Sequence, residues 1–505
     1  MTKQYLLGID NGGTVAKAAL FTRDGREVAV ASSKSDSRSP QPGWIEFDTD
    51  QLWQATAAAV KQVITDSGID PQDIVAVACT GHGNGIYLVD AENQPVRDAI
   101  YSADSRAGTI VRQWLADGVD RRVQAKTMQT LWPGQPNALL AWLREHEPDT
   151  IRRTRWVLMC KDFIRLRLTG EARAELTDMS GTSLMNVATG QYDPEVLAAF
   201  GIPELQEKLP PLCLSAEICG TVTAEAAAQT GLAEGTPVAG GLFDVDACTL
   251  SSAITEESQL GMILGTWGIN QYVSTTPVTG GKLFMTSRYC IPDYYLMIEG
   301  SATSASNLEW FLAQFFQAEA EAAKQQGQNI YDVVNRLVAE TNPQDANLLF
   351  FPFLYGSNVA SEASGTLIGM RDRYHRGHVL RAIYEGVAFG HRTHLDRLLK
   401  VRDMPDRIRA SGGAARSDVW MQTLADVFQR PVEVPDGSEL GALGAAICAA
   451  VAVGWYGSYQ SACAAMVRLT RVFQPNPNLA EVYRAKYQRY TRFLEVMEPA
   501  WKDLA

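Results

Sequence analysis

The 505-residue chain has no run of 18 or more apolar residues, which excludes a transmembrane helix. It has no long Lys/Arg run and a formal net charge of -12, which excludes a nucleic-acid footprint. Cysteine is sparse: Cys79, Cys160, Cys213, Cys219, Cys248, Cys290, Cys448 and Cys463 form no C-x-x-C pair, and most lie in apolar runs such as VAVACT and GAAICAA. Buried free thiols in a reducing cytoplasm are expected. There are six histidines; His391 and His394 stand three apart with no third ligand at metal spacing. The opening MTKQYLLGID lacks a signal-peptide pattern, and no low-complexity segment occurs.

What is present is a large α/β pattern. Apolar residues make up 46% and charged residues 20%, as in an ordinary globular protein, and the length suits two domains. Residues 5–9 and 15–21 read as strands around Gly12-Gly13, and REVAVASS as a third. DTDQLWQATAAAVKQVITDSG reads as a helix with Leu52, Ala55, Ala59 and Val63 on one face and Asp48 or Asp50 as its cap. IVAVACTGHG is a buried strand running into glycines. The segment 258–274, SQLGMILGTWGINQYVS, repeats the strand–glycine turn–strand device of the N-terminus. GGLFD at 240–244 and SGG at 411–413 form a second matching pair. Two related α/β domains are expected, 1–252 and 253–505.

The glycine turns suggest chemistry. Backbone N–H groups of a tight turn bind phosphate oxygens, with hydroxyls from Thr14 and Thr266 and a charge from Lys17. Asp10, ending an apolar strand beside such a turn, is intelligible if Mg²⁺ lies between it and phosphate; a plain turn aspartate is the alternative. Asp244, in VAGGLFDVDACTL, also ends an apolar run beside glycines. At the start of a helix it would suit a base that takes a hydroxyl proton during phosphoryl transfer, with Asp246 as rival and two helix-start acids as the bland reading. Gly412 and Gly413, with Ser417 capping the next helix, would let a flat group such as adenine approach the backbone.

These pieces together resemble the FGGY carbohydrate kinases, of the actin, Hsp70 and hexokinase superfamily. GTLIGMRDRYHRGHVLRAIYE at 365–385 fits the family's second signature throughout: Leu367, Gly369-Met370, a seven-residue gap, His378-Val379 and Ala382-Ile383-Tyr384-Glu385. PGWIEFDTDQLW, KDFIRLRLTG and LGALGAAICAAVAVGWY are similar to further family segments. TLWPGQP, EICG, GGLFDV and FFPFLYGSN resemble the L-xylulose kinase branch and xylulokinase-like members.

The resemblance implies two actin/hexokinase-like (ribonuclease H-like) α/β domains around a central cleft. The first would bind sugar, phosphate and Mg²⁺, the second ATP. It implies ATP-dependent phosphorylation of the terminal primary hydroxyl of a ketopentose, L-xylulose foremost. D-xylulose, ribulose, glycerol and erythritol remain alternatives, and a chaperone or filament ATPase and a non-catalytic sugar sensor are rivals of another class. Asp10 falls at the metal acid and Asp244 at the catalytic base, the two expected from opposite sides of a closing crevice. Gly12, Gly13, Thr14 and Lys17 match the first phosphate turn, Gly265 and Thr266 the second. Gly412, Gly413, Ala414 and Ser417 match the adenosine motif, with Asn307 and Glu309 near the nucleotide. His82, Asn84, Asp104, Arg106 and Trp132 are implied sugar ligands; an Arg106–Asp104 structural pair, His82 satisfying loop carbonyls and Trp132 in the core are the alternatives. A cytoplasmic homodimer is the family habit. One departure stands out: many members carry Gly-Thr-Thr or Gly-Thr-Ser where this chain has Gly12-Gly13-Thr14.

Overall fold

The computed structural model describes residues 4–360 and 362–504. The chain forms two compact units, and the division is not a single cut. One unit comprises 1–255, 273–297 and 437–467; the other comprises 256–272, 298–436 and 468–505. The first excursion leaves close to the expected boundary at 252, but the chain then returns to the first unit twice.

In the first unit, β1 (Tyr5–Asn11), β2 (Val15–Thr22) and β3 (Glu27–Lys34) form an antiparallel meander, and β4 (Ile74–Gly81) lies parallel to β1. The short β5 (Leu242–Phe243) lies parallel to β4 on its other side. Strand alternation sends Leu7 and Ile9 into a core shared with the helix Thr49–Ser67. That helix starts where expected: the Asp48 carboxylate accepts from the Asp50 and Gln51 N–H groups, both at 3.0 Å.

The opposite face of β1 explains one return of the chain. The helix Leu440–Ala452 is rich in Gly and Ala, eight of its 13 residues. A Cβ at Gly8 would collide with the Ala442 backbone, one at Gly444 with the Ala247 backbone, and one at Gly441 with the Asp10 carboxylate. Only glycine allows the helix this close to the strand bearing Asp10.

The second unit repeats the design. β6 (Gln259–Leu264) and β7 (Gly268–Ser274) are antiparallel, and β8 (Arg407–Ser411) runs parallel to β6, with Met262 beside Ala410 and Ile263 beside Ser411. β9 (Val432–Pro435) extends the sheet in parallel and β10 (Leu469–Phe473) closes it antiparallel. The signature segment 365–385 enters the helix Arg376–Leu398, whose buried Glu385 pairs with Lys486 at 2.5 Å. Among the described residues no helix is long and apolar enough to cross a membrane, and no group of three or more His, Cys, Asp or Glu side chains forms a metal cluster. His391 and His394 are buried against Ser304, Asn270 and Ser301.

Candidate active site

Asp10 and Asp244 both belong to the first unit, which corrects the expectation that they approach from opposite sides. They stand at the carboxyl ends of β1 and β5, which flank β4. Asp10 and Leu242 both register with Thr80, and Asn11 and Phe243 with Gly81. Carboxyl ends of parallel strands are where α/β sheets hold ligands.

Asp244 opens the helix Asp244–Ser251, and its Oδ1 accepts from the Val245 N–H at 2.7 Å. The residue before it is pinned: the Phe243 N–H donates to Thr177 Oγ1 at 3.0 Å, while Thr177 donates to the buried Glu175 at 2.7 Å. Burial first, then the negative charges of Asp10 and Asp178, push the Asp244 carboxyl up to about 8 against the pull of backbone N–H groups. Asp10 is pushed up to about 6, chiefly by burial, with Lys17 opposing and Glu439 adding to the rise. Both side chains are half-buried; protein atoms crowd them without sealing them from solvent. Neighbouring acids with separated pKa values suit distinct roles at neutral pH. Asp246, the rival, is fully buried, so its carboxyl does not face solvent or a substrate.

Lys17 lies directly across the hairpin from Asp10, but its ammonium is held by Glu439 at 2.7 Å. Burial disfavours its charge, and the Glu439 bond outweighs that. Its charge is therefore largely spent on Glu439, a residue the sequence did not single out, rather than free for phosphate. Thr14 is exposed and Gly12 and Gly13 half-buried, so the turn itself is accessible.

The three segments expected to line a sugar site do pack together. Gly85 fits under the Ile100 carbonyl and the Ser102 N–H, and Gly134 against the Ser102 carbonyl. Within them Asp104 is fully occupied, and the alternative of an Asp104–Arg106 pair is what forms. Asp104 accepts from the Ile45 N–H at 2.7 Å, the Arg106 N–H at 2.8 Å, Arg106 Nε at 2.9 Å and Arg106 Nη2 at 2.8 Å. All four of its lone-pair positions are filled. Arg106 also pairs with Glu46 at 2.8 Å and lies over the Trp44 ring at 4.0 Å. Asp104 and Arg106 are buried and bound to each other; Asp104 has no lone pair left for a hydroxyl, whereas Arg106 Nη1 is buried without a partner.

His82 and Asn84 are each 5% exposed. The His82 ring makes a 2.8 Å bond to the Tyr87 hydroxyl, and burial lowers its pKa to about 4, so it is neutral at pH 7. Asn84, in the left-handed region at φ 59°, has a buried Oδ1 without a partner. Trp132 is half-buried, stacked on Phe284 at 5.2 Å.

In the second unit the Gly265-Thr266 turn ends β6, and Gly412-Gly413 ends the adjacent parallel β8. Gly412 sits at φ 91°, where a Cβ would strike the Leu264 backbone; a Cβ at Gly413 would meet nothing within 4 Å. Ala414 is buried behind them. Ser417 caps the helix Asp418–Phe428 by accepting from the Trp420 N–H at 3.1 Å, and donates to Asn335 at 2.6 Å. Asn335 also accepts from Tyr384 of the signature at 2.8 Å, and the Tyr384 ring stacks on Trp420 at 4.1 Å. The signature thus positions the glycine loop from behind. Asn307 is fully buried, with its amide nitrogen donating to Thr303 at 2.7 Å and to the Ser304 carbonyl at 2.9 Å, and its Oδ1 has no partner. Glu309 is exposed.

Comparison with known proteins agrees with this architecture. Residues 5–251 match the N-terminal domain, and residues 260–453 the C-terminal domain, of the FGGY family of carbohydrate kinases. An L-xylulose/3-keto-L-gulonate kinase of Escherichia coli is 39% identical over 98% of this chain and 97% of its own length. A probable L-xylulose kinase of Pasteurella multocida is 37% identical over 98% and 99%. The crystal structure of xylulose kinase from Rhodospirillum rubrum superposes with a TM-score of 0.88 at 30% identity, over 99% of this chain and 100% of that one. With both domains matched, relatives alike from end to end and two paired carboxylates beside a glycine turn, the chain belongs to the FGGY family of carbohydrate kinases, which phosphorylate sugars with ATP.

Proposed function

We propose that this enzyme phosphorylates the terminal primary hydroxyl of L-xylulose, giving L-xylulose 5-phosphate and ADP. The observation that carries the reading is the Asp10–Asp244 pair at one sheet end, in a chain so similar along its whole length to relatives named for L-xylulose. Relatives named only xylulose kinase stand further off, at 30% identity or less.

In this reading Asp244 takes the proton of the sugar hydroxyl as its oxygen bonds to the γ-phosphorus and the bond to the β-phosphate oxygen breaks. A base with its pKa raised toward neutrality is matched to that task. The backbone N–H groups of Gly13 and Thr14, in the first unit, steady the transferring group; that of Gly12 is taken by the Val15 carbonyl at 3.1 Å. Gly265, Thr266, Gly412, Gly413 and Ser417 of the second unit hold ATP. His82, Asn84 and Trp132 contact the sugar, and the orphaned Asn84 Oδ1 gains a hydroxyl partner there. Asp10 fits Mg²⁺: burial makes its negative charge costly, a cation relieves that cost, and a phosphate turn adjoins it. When bound, Mg²⁺ supplies positive charge that offsets the phosphate oxygens and favours the ionised form of nearby acids. A homodimer and a cytoplasmic location rest on family habit alone, and light scattering tests the former.

An ADP-release screen over L-xylulose, 3-keto-L-gulonate, D-xylulose, ribulose, glycerol and erythritol tests the substrate. L-xylulose is expected to have the highest kcat/KM by at least about tenfold, which needs only about 1.4 kcal/mol of differential binding. A preference for D-xylulose or a polyol overturns the assignment.

A further inference from the structure

The Gly12-Gly13-Thr14 turn carries a single side-chain hydroxyl, that of Thr14. Nothing in the backbone demands glycine at 13, since its φ is not in the left-handed region. The demand comes from outside the turn: a Cβ at Gly13 would fall on the Tyr101 hydroxyl, with Tyr101 Cζ at 2.9 Å and Cε2 at 3.4 Å. A phenol from a distant loop occupies the place of a residue-13 side chain.

That phenol is rigidly held. The Tyr101 N–H donates to the Ile45 carbonyl at 2.9 Å. Its ring meets His82 edge-on at 4.7 Å and Phe47 at 5.3 Å. The residues on either side, Ile100 and Ser102, are clamped by Gly85 and Gly134. Burial and then the nearby Asp244 charge raise the phenol's pKa, while the Ser102 hydroxyl opposes them, so it is an O–H donor at working pH.

We propose that the Tyr101 hydroxyl is a catalytic donor, giving its hydrogen bond to the phosphoryl group in transfer beside Gly13 and Thr14, in place of a hydroxyl from residue 13. The proposal rests on the reading of this turn as the phosphate site. Its test is separate from that of the base, which fails only if Asp244→Asn stays active, and from that of the sugar, because each assay uses the acceptor the wild type prefers.

Tyr101→Phe removes one oxygen and keeps the ring packing. Removing one preorganised transition-state donor costs about a hundred- to a thousandfold in rate in favourable cases. The expected result is a fall in kcat of at least about fivefold, with KM for ATP and sugar within about threefold. Gly13→Ser placed in Tyr101→Leu restores a hydroxyl at the turn where the shorter side chain leaves room. This double variant is expected to be at least about fivefold faster than Tyr101→Leu alone. A Tyr101→Phe enzyme losing less than that in kcat, or losing its rate only through sugar KM, overturns the proposal; so does a double variant no faster than Tyr101→Leu.

Discussion

Gly441→Ala isolates the Asp10 carboxylate without touching it chemically. Gly441 lies in the first turn of the helix Leu440–Ala452, where alanine improves helix propensity by about 1 kcal/mol. The added methyl, however, would collide with Asp10 Oδ2 and lie 2.8 Å from Asp10 Cγ. The helix has no easy retreat: Ala442 is locked against Gly8, Gly444 against Ala247, and Glu439 is tied to Lys17. The carboxylate must therefore move. Overpacking of this kind costs about 1–3 kcal/mol, so the net change in stability is within about 2 kcal/mol of zero and the protein still folds. Activity responds more strongly, because a displacement of about 1 Å in a reacting group costs up to about a hundredfold. Steady-state ADP release with a Mg²⁺ titration is the assay: kcat should fall by about tenfold to a hundredfold and the half-saturating Mg²⁺ concentration should rise. Gly457→Ala, where a Cβ meets nothing within 4 Å, is the control and should be unchanged. A folded Gly441→Ala enzyme with wild-type kcat and Mg²⁺ dependence would refute the role given to Asp10.

Three further outcomes follow from the same geometry. The Asp244 carboxyl holds its proton in the folded state up to about pH 8 but loses it near 3.8 when unfolded. The native state thus binds more protons across that window, and Asp244 costs stability increasingly as pH rises through it. Asp244→Asn should be more stable to unfolding than wild type at pH 8 by about 1–3 kcal/mol after allowance for solvent screening, and the gap should close toward pH 4; a constant gap contradicts the shift. Asp104→Asn leaves the buried Arg106 under-compensated and should lower stability by about 3–5 kcal/mol, with sugar KM unchanged in the folded fraction; a specific rise in sugar KM would return Asp104 to the binding site. Gly413→Ala has room within the protein and should leave Tm unchanged while raising ATP KM about tenfold, read by initial rates, if the nucleotide lies over that backbone.

Much of the site is written locally. Asp10 follows an apolar strand and precedes glycines within a few residues. Asp244 begins a helix right after a strand, and Gly412-Gly413 ends another; such signals survive without tertiary knowledge. What failed depended on distant partners. An Arg106–Asp104 pair is legible two residues apart, but the Ile45 N–H on Asp104 and Glu46 on Arg106 arrive from about 60 residues away. Asn307 sits in a polar-looking run whose inward face only folding decides. Tyr101, Glu439 and Asn335 carry no local signal, because nothing near them in the chain announces Gly13, Lys17 or Ser417 as neighbours. The chain's return to the first unit at 437–467 was hidden for the same reason. Small residues in LGALGAAICAAVA signal a close approach, but not to which strand. The weak repeat of the two halves proved real as topology: each unit has an antiparallel hairpin whose first strand is then joined in parallel by a later one.

The central claim is that Asp244 removes the proton from the sugar hydroxyl. Single-turnover transfer of the ATP γ-phosphoryl group by Asp244→Asn, with nucleotide affinity measured by calorimetry on the same sample, tests it most directly. The account predicts ATP binding within a few-fold of wild type and transfer slowed by at least about a thousandfold, within the range of a lost general base. A folded Asp244→Asn protein that transfers phosphate within about tenfold of the wild-type rate would contradict it.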